Sequence, residues 1–163
     1  MDTFGNQSKT EAKKNITISN GDAFIGSGMF NGRNWTRQGI PFYSGNVSYS
    51  TELKKLPDLA RNERVVVHVP SYKGTGFRGL VDGTAAGVVG WEPNEGDITD
   101  YVSGTNARIT VEVLGHRRNS HGPLHLTQKK PTWTGPAQFV SGGNLWCEGY
   151  TLVECGLMKS PEL

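Results

Sequence analysis

Hydrophobic and polar positions along this chain alternate in short bursts, and the bursts read as strands. Val47, Tyr49, Thr51 and Leu53 alternate with Ser48, Ser50 and Glu52, a period of two that puts one set on each face of a sheet. Ile109, Val111 and Val113 alternate with Arg108, Thr110 and Glu112, the cleanest half-buried pattern in the chain. Val65, Val67 and Val69 flank Val66 and His68, so this segment reads as apolar on both faces and as a central strand. Residues 77–81 and 84–91 are strand-like and are joined by Asp82-Gly83. That pair supplies the positive φ angles of a tight type I′ turn and predicts a hairpin. Residues 145–157 read as a last extended segment, with Gly149 marking a bulge.

No window of eleven or more residues shows a helical period. Residues 52–61 come nearest, but Pro57 interrupts them and leaves room for one turn of helix. Strands separated by Gly-rich connections, with no helices between them, predict an antiparallel all-β sandwich. The longest irregular stretch is residues 115–144, rich in Gly, Pro, His and Asn. A loop of that length inside a compact domain is usually functional or flexible.

Size and composition agree with this picture. The chain has 163 residues, enough for one domain that folds without disulfides or metal. Residues 1–15 are polar and read as a loose N-terminus, and residues 16–163 as a single sandwich, a piece of a longer protein. Glycine accounts for 22 residues, nearly twice the usual ~7% share, and follows no three-residue period, which excludes collagen. No run approaches the ~18 apolar residues of a membrane span. The formal charge of +2, from 17 basic and 15 acidic side chains, is too balanced for a nucleic-acid partner. Cys147 and Cys155 on one extended segment would stand ~26 Å apart, beyond disulfide reach, and are read as free thiols.

Several longer stretches resemble a known family. "YKGTGFRGLVDGTAAGVVGWEP" is a strand, a turn and a second strand ending in Trp-x-Pro. "GDITDYV", "GTNARITVEVLG" and "RRNSHGPLH" follow, with "WTRQGIPFYSGNVSY" upstream and "YTLVECGL" at the close. Together, over residues 35–157, they resemble the galactose-binding-like jelly-roll domain of glycoside hydrolase family 2 and related large bacterial sugar hydrolases. Cys155 stands where the resemblance expects an aromatic residue. The resemblance implies a non-catalytic accessory sandwich, with the catalytic acids in a separate domain, in a secreted or cell-surface bacterial protein that takes part in polysaccharide degradation. Its partners would be a polysaccharide or oligosaccharide and the parent catalytic domain.

The residues offer chemistry for that role. Saccharides stack C–H faces on aromatic rings and need paired donors and acceptors for their hydroxyls. Trp35 and Trp133 sit in loop-like sequence and are candidate platforms, whereas Trp91 and Trp146 lie beside strands and read as core. Tyr72 opens a Gly-rich loop. Arg117, Arg118, Asn119, His121 and His125 supply guanidinium, amide and imidazole groups at close spacing, although Arg118 and Asn119 could equally brace their own loop. His116, His121 and His125 could in principle ligate a metal, but Gly122-Pro123 argues against one helix presenting them. No cofactor is required; the resemblance implies a structural calcium, with Asp22 and Glu148 as contributors. Asp97 reads as the cap of a short helical turn and Thr99 as a hydrogen-bond partner of the local backbone. Two further readings stay open. The chain is a purely structural domain docking on its catalytic neighbour, or a small stand-alone enzyme using the acidic loop at Glu92, Glu95, Asp97 and Asp100.

Overall fold

The computed structural model describes residues 16–17, 34–53, 63–104, 106–130 and 133–163. The loose N-terminus expected over residues 1–15, the candidate ligand Asp22, and residues 54–61 of the expected helical turn lie outside the described residues. Among those described, helix is confined to one α-helical turn, Arg118–His121 (α1), and to 3₁₀ turns at Trp35–Arg37, Thr99–Tyr101 and Pro136–Gln138. The rest of the regular structure is strand, so the fold is an all-β sandwich.

Its main layer is a five-stranded sheet. The strands are β1 (Ile16–Thr17), β2 (Val47–Leu53), β5 (Gly76–Val81), β6 (Thr84–Val89) and β8 (Ala107–Leu114), in the order β1-β2-β8-β5-β6. β2 and β8 run antiparallel, and their register explains both alternations. Val47, Tyr49, Thr51 and Leu53 lie opposite Val113, Val111, Ile109 and Ala107, which is the inward set. Ser48, Ser50 and Glu52 lie opposite Glu112, Thr110 and Arg108 on the outer face. There Ser50 and Thr110 share a hydrogen bond of 2.8 Å, and Arg108 Nη2 meets Glu52 Oε1 at 2.8 Å. Ser50 is buried here; cross-strand pairs of this kind are each worth a few tenths of a kcal/mol up to about 1 kcal/mol, so they fix register more than they hold the fold.

β5 and β6 form the expected hairpin. Asp82 has φ +48° and Gly83 φ +84°, the left-handed pair a type I′ turn requires. Asp82 also extends the sheet toward β8. Its backbone N–H donates to the Arg108 carbonyl at 2.9 Å, and its Oδ1 accepts from the Arg108 N–H at 2.8 Å. One pairing departs from the antiparallel expectation, since β1 runs parallel to β2.

The opposing layer is built from two short pairs. β3 (Val66–His68) pairs with β7 (Glu95–Asp97), and β4 (Tyr72–Lys73) pairs with β9 (Gly156–Leu157), all antiparallel. β3 is not the central strand expected of it. Val65, Val67 and Val69 are buried, but Val66 and His68 are only half-covered; among the described residues β7 is its laddered neighbour, and a single bridge from His68 to Glu162 lies on its other edge. A β-branched residue favours a strand whether or not its outer face is covered, so the sequence overstated the burial. Trp35, Tyr49, Phe77, Ile98 and Leu157 are the largest side chains wholly buried between the layers.

The segment 145–157 is mostly not strand. Only Gly156–Leu157 joins a ladder, apart from an isolated bridge between Leu126 and Trp146. Its backbone groups instead tie down the long loop. Thr127 N–H donates to Leu145 O at 3.0 Å, Cys147 N–H to His125 O at 3.0 Å, and Thr151 N–H to Leu124 O. There is accordingly no ladder for Gly149 to bulge.

Asp97 holds the start of the 99–101 turn from the position before its N-cap, Ile98, and the Thr99 hydroxyl, expected to bond the local backbone, instead accepts from the distant Val65 N–H at 2.9 Å. Asp97 Oδ1 accepts from the Thr99 hydroxyl at 2.6 Å and from its N–H at 3.0 Å. These bonds, aided by Arg64, hold the Asp97 carboxyl below its ordinary range. A depressed carboxylate contributes stability above its unfolded pKa and loses it as pH falls through the folded one. Asp97→Asn is therefore expected to flatten the acid limb of a stability–pH profile below about pH 4. Urea midpoints collected from pH 2 to 7 check this, and parallel profiles for the two proteins would contradict it.

Candidate functional site

The long irregular stretch and the segment after it form one surface. Residues 124–127 run antiparallel to 145–151 through the backbone bonds given above, and residues 128–144 extend beyond that pairing. The aromatic side chains of this surface form a connected group. The His125 ring stacks on Trp146 with centroids 5.9 Å apart, and meets Tyr150 at 5.1 Å. Tyr150 in turn packs edge-on against Phe42 at 5.1 Å. His125 Nδ1 lies 3.1 Å from Cys147 O and 3.0 Å from Glu148 O, which fixes the plane of the ring.

Trp133 is held differently. Its indole lies across Gly135, so closely that a Cβ there would come within 2.0 Å of two ring carbons. The turn beneath is closed by Gln138. Its Oε1 accepts from Gly135 N–H, and its Nε2 donates to the Trp133 carbonyl at 3.4 Å. The ring remains 62% exposed. The outer atoms of its six-membered ring therefore lie close against Gly135 and most of the indole is open to solvent, an exposed apolar surface. Glycine is required here by close approach, not by its backbone angles.

The remaining expected residues divide sharply. Trp35 is 0% exposed. Its ring packs edge-on against Tyr43 at 6.0 Å, and its backbone N–H donates to Cys155 O at 2.9 Å. It is a core residue with no face free for a ligand. Asn119, 1% exposed, clamps Val153. Its Nδ2 donates to Val153 O at 2.7 Å, and its Oδ1 accepts from Val153 N–H at 2.8 Å. This is the loop-bracing alternative, not a ligand contact. Arg118 is half-buried with its side chain folded against Gly122, and desolvation lowers its pKa. Tyr72 packs edge-on against Phe77 at 5.6 Å on β4, as support for the core. Arg117 and His121 are exposed at either end of α1, where Arg117 O accepts from His121 N–H at 2.9 Å. Of the expected residues, His125 lies in the connected ring group and Trp133 forms the pinned platform.

The two tryptophans read as core are also corrected. Trp91 is 82% exposed, because β6 ends at Val89 and the chain turns there, with Asn94 N–H donating to Trp91 O. Trp146 is 36% exposed in its stack with His125. Phe42, after Pro41, reads in the sequence as packing at a strand start, and Tyr150 was missed altogether. Their one signal was aromatic residues in Gly/Pro-rich sequence, and their meeting depends on contacts across more than half the chain.

Glu148 is exposed. Among the described residues, no group of three His, Cys, Asp or Glu side chains is placed to hold a metal ion. Cys147 and Cys155 are free thiols, and burial pushes Cys155 up to about 11.

No protein-family model matches the sequence, and no curated protein matches it. Among solved structures 17 chains match. One is a rhamnosidase from Novosphingobium sp. PP1Y, at 17% identity and a TM-score of 0.51. The likeness is one of fold. It covers 76% of this chain and 11% of the rhamnosidase, so the chain spans about a tenth of that enzyme's length.

Proposed function

We propose that the chain is a non-catalytic, carbohydrate-binding accessory sandwich of a larger glycoside hydrolase. The observation that carries this reading is the Trp133 indole pinned over Gly135 and 62% exposed. A saccharide laid on that exposed ring pairs its C–H face with the π-surface. The resemblance of residues 35–157 to sugar-hydrolase sandwiches supports it, as does the shared fold with part of a rhamnosidase.

Affinity electrophoresis in gels cast with rhamnose-bearing, galactose-bearing and glucose-bearing glycans tests the proposal. Retardation by at least one glycan is expected for the native chain. Trp133→Ala should lose about 1.4 kcal/mol or more of binding, ~10-fold. Gly135→Ala should weaken binding comparably although it deletes no aromatic atom, because the new methyl displaces the ring. Equal retardation of all three proteins would contradict the platform.

A second reading has its own observation. Trp133, Phe139 and Leu145 are large, exposed and apolar within the one stretch 133–145, which is the composition of a docking patch. On that reading the surface seats the parent catalytic domain, and mixing the two domains would quench or shift Trp133 emission with no glycan present.

A further inference from the structure

The outer face of the five-stranded sheet holds an open trough of about 860 Å³, within the usual range for ligand sites. Its floor is Ser48 of β2, Arg78 of β5 and Thr110 and Glu112 of β8. The Asp82–Gly83 turn and Asn106 stand at one end. No aromatic residue lines it. The walls carry three carboxylates, Glu52, Asp82 and Glu112, and two guanidiniums, Arg78 and Arg108.

These charges are already matched to one another. Arg78 Nε lies 3.1 Å from Glu112 Oε2, and Arg108 Nη2 lies 2.8 Å from Glu52 Oε1. Asp82 is engaged by the Arg108 backbone. Arg78 and Glu112 meet as an ion pair without a hydrogen bond from Nε, and Glu112 Oε1 also accepts from Asn46 Nδ2 at 3.5 Å; a guanidinium has five N–H donors and a carboxylate about four acceptor sites, so these contacts leave most of that capacity directed elsewhere. The result is an ordered array of alternating donors and acceptors with a small negative excess. Such an array suits a ligand whose groups each donate and accept. A sugar hydroxyl does both, whereas an anion meets the carboxylate excess unfavourably.

We infer that this trough is a second binding site, for an uncharged saccharide read by hydrogen bonds without aromatic stacking. It extends the carbohydrate-binding reading but uses no residue of the Trp133 surface, so the two stand or fall separately.

Amide-resolved NMR of the full chain separates them. The probes are neutral hexasaccharides of glucose, mannose, galactose and rhamnose, with hexagalacturonate as the acidic counterpart. At least one neutral probe is expected to shift the amides of Ser48, Arg78, Thr110 and Glu112 saturably, and hexagalacturonate at least tenfold more weakly. Arg78→Gln should weaken those shifts about tenfold. Ser48→Arg, at an outward position of β2, should block the trough without touching the core. Trp133→Ala should leave these shifts intact. Shifts confined to residues 133–150 and lost in Trp133→Ala would overturn the trough and keep the platform. Trough shifts that survive both Arg78→Gln and Ser48→Arg, tighter binding of hexagalacturonate, or no shift with any probe would each overturn the inference.

Discussion

Trp35→Ala is expected to destabilise the chain by about 3–5 kcal/mol, the usual cost of removing a large aromatic from a packed core. The indole is fully enclosed, and its edge-on contact with Tyr43 joins the 34–37 turn to the start of β2. Its backbone anchors the last segment of the chain through Cys155. Truncation leaves a cavity between the layers, because Tyr49, Phe77 and Leu157 are themselves wholly buried and have little room to collapse inward. Trp91→Ala is the control. At 82% exposure it should change stability by no more than about 0.5 kcal/mol. Urea unfolding followed by far-ultraviolet circular dichroism checks both. If Trp35→Ala cost less than Trp91→Ala, the assignment of the two rings would be reversed.

Asn119→Ala is expected to cost about 2–4 kcal/mol. The side chain satisfies both backbone groups of Val153. Its loss strands a donor and an acceptor in a poorly hydrated place, each at roughly 1–3 kcal/mol. Asn119→Asp tells a brace from mere packing. A carboxylate still accepts from Val153 N–H, but its second oxygen faces the Val153 carbonyl at the site of a 2.7 Å bond. Asp should therefore rescue little of the loss, despite matching Asn in size. Because Val153 leads into Cys155 and β9, amide exchange should rise first at residues 151–157 in either variant. Uniform protection across the chain with unchanged urea midpoints would show that the clamp carries no energy.

The parts of this fold legible in the sequence are those fixed by local rules. The 47–53 and 107–114 alternations state which side chains face inward, and the register of β2 against β8 matches them position for position. Asp82-Gly83 named its own turn. The four tryptophans were harder, since an indole in a strand-like or a loop-like stretch says nothing about which side of the sandwich it meets. Trp35 lies in loop sequence but is drawn inward by its bond to Cys155, far along the chain. Trp91 follows a strand but lies past its last ladder residue. The pinned platform at Trp133 was legible as an aromatic in a Gly/Pro loop; that Gly135 carries its weight was not. The trough was not read at all. Its polar residues sit at the outward positions of three strands and look, one strand at a time, like an ordinary solvated face.

Intrinsic fluorescence under glycan titration tests the central claim most directly, that this sandwich binds carbohydrate at a fixed exposed indole. The native chain is expected to show a saturable change in emission with at least one polysaccharide, retained in Trp91→Ala and abolished in Trp133→Ala. A folded native chain with no saturable change for any glycan, or a change of full size in Trp133→Ala, would contradict it.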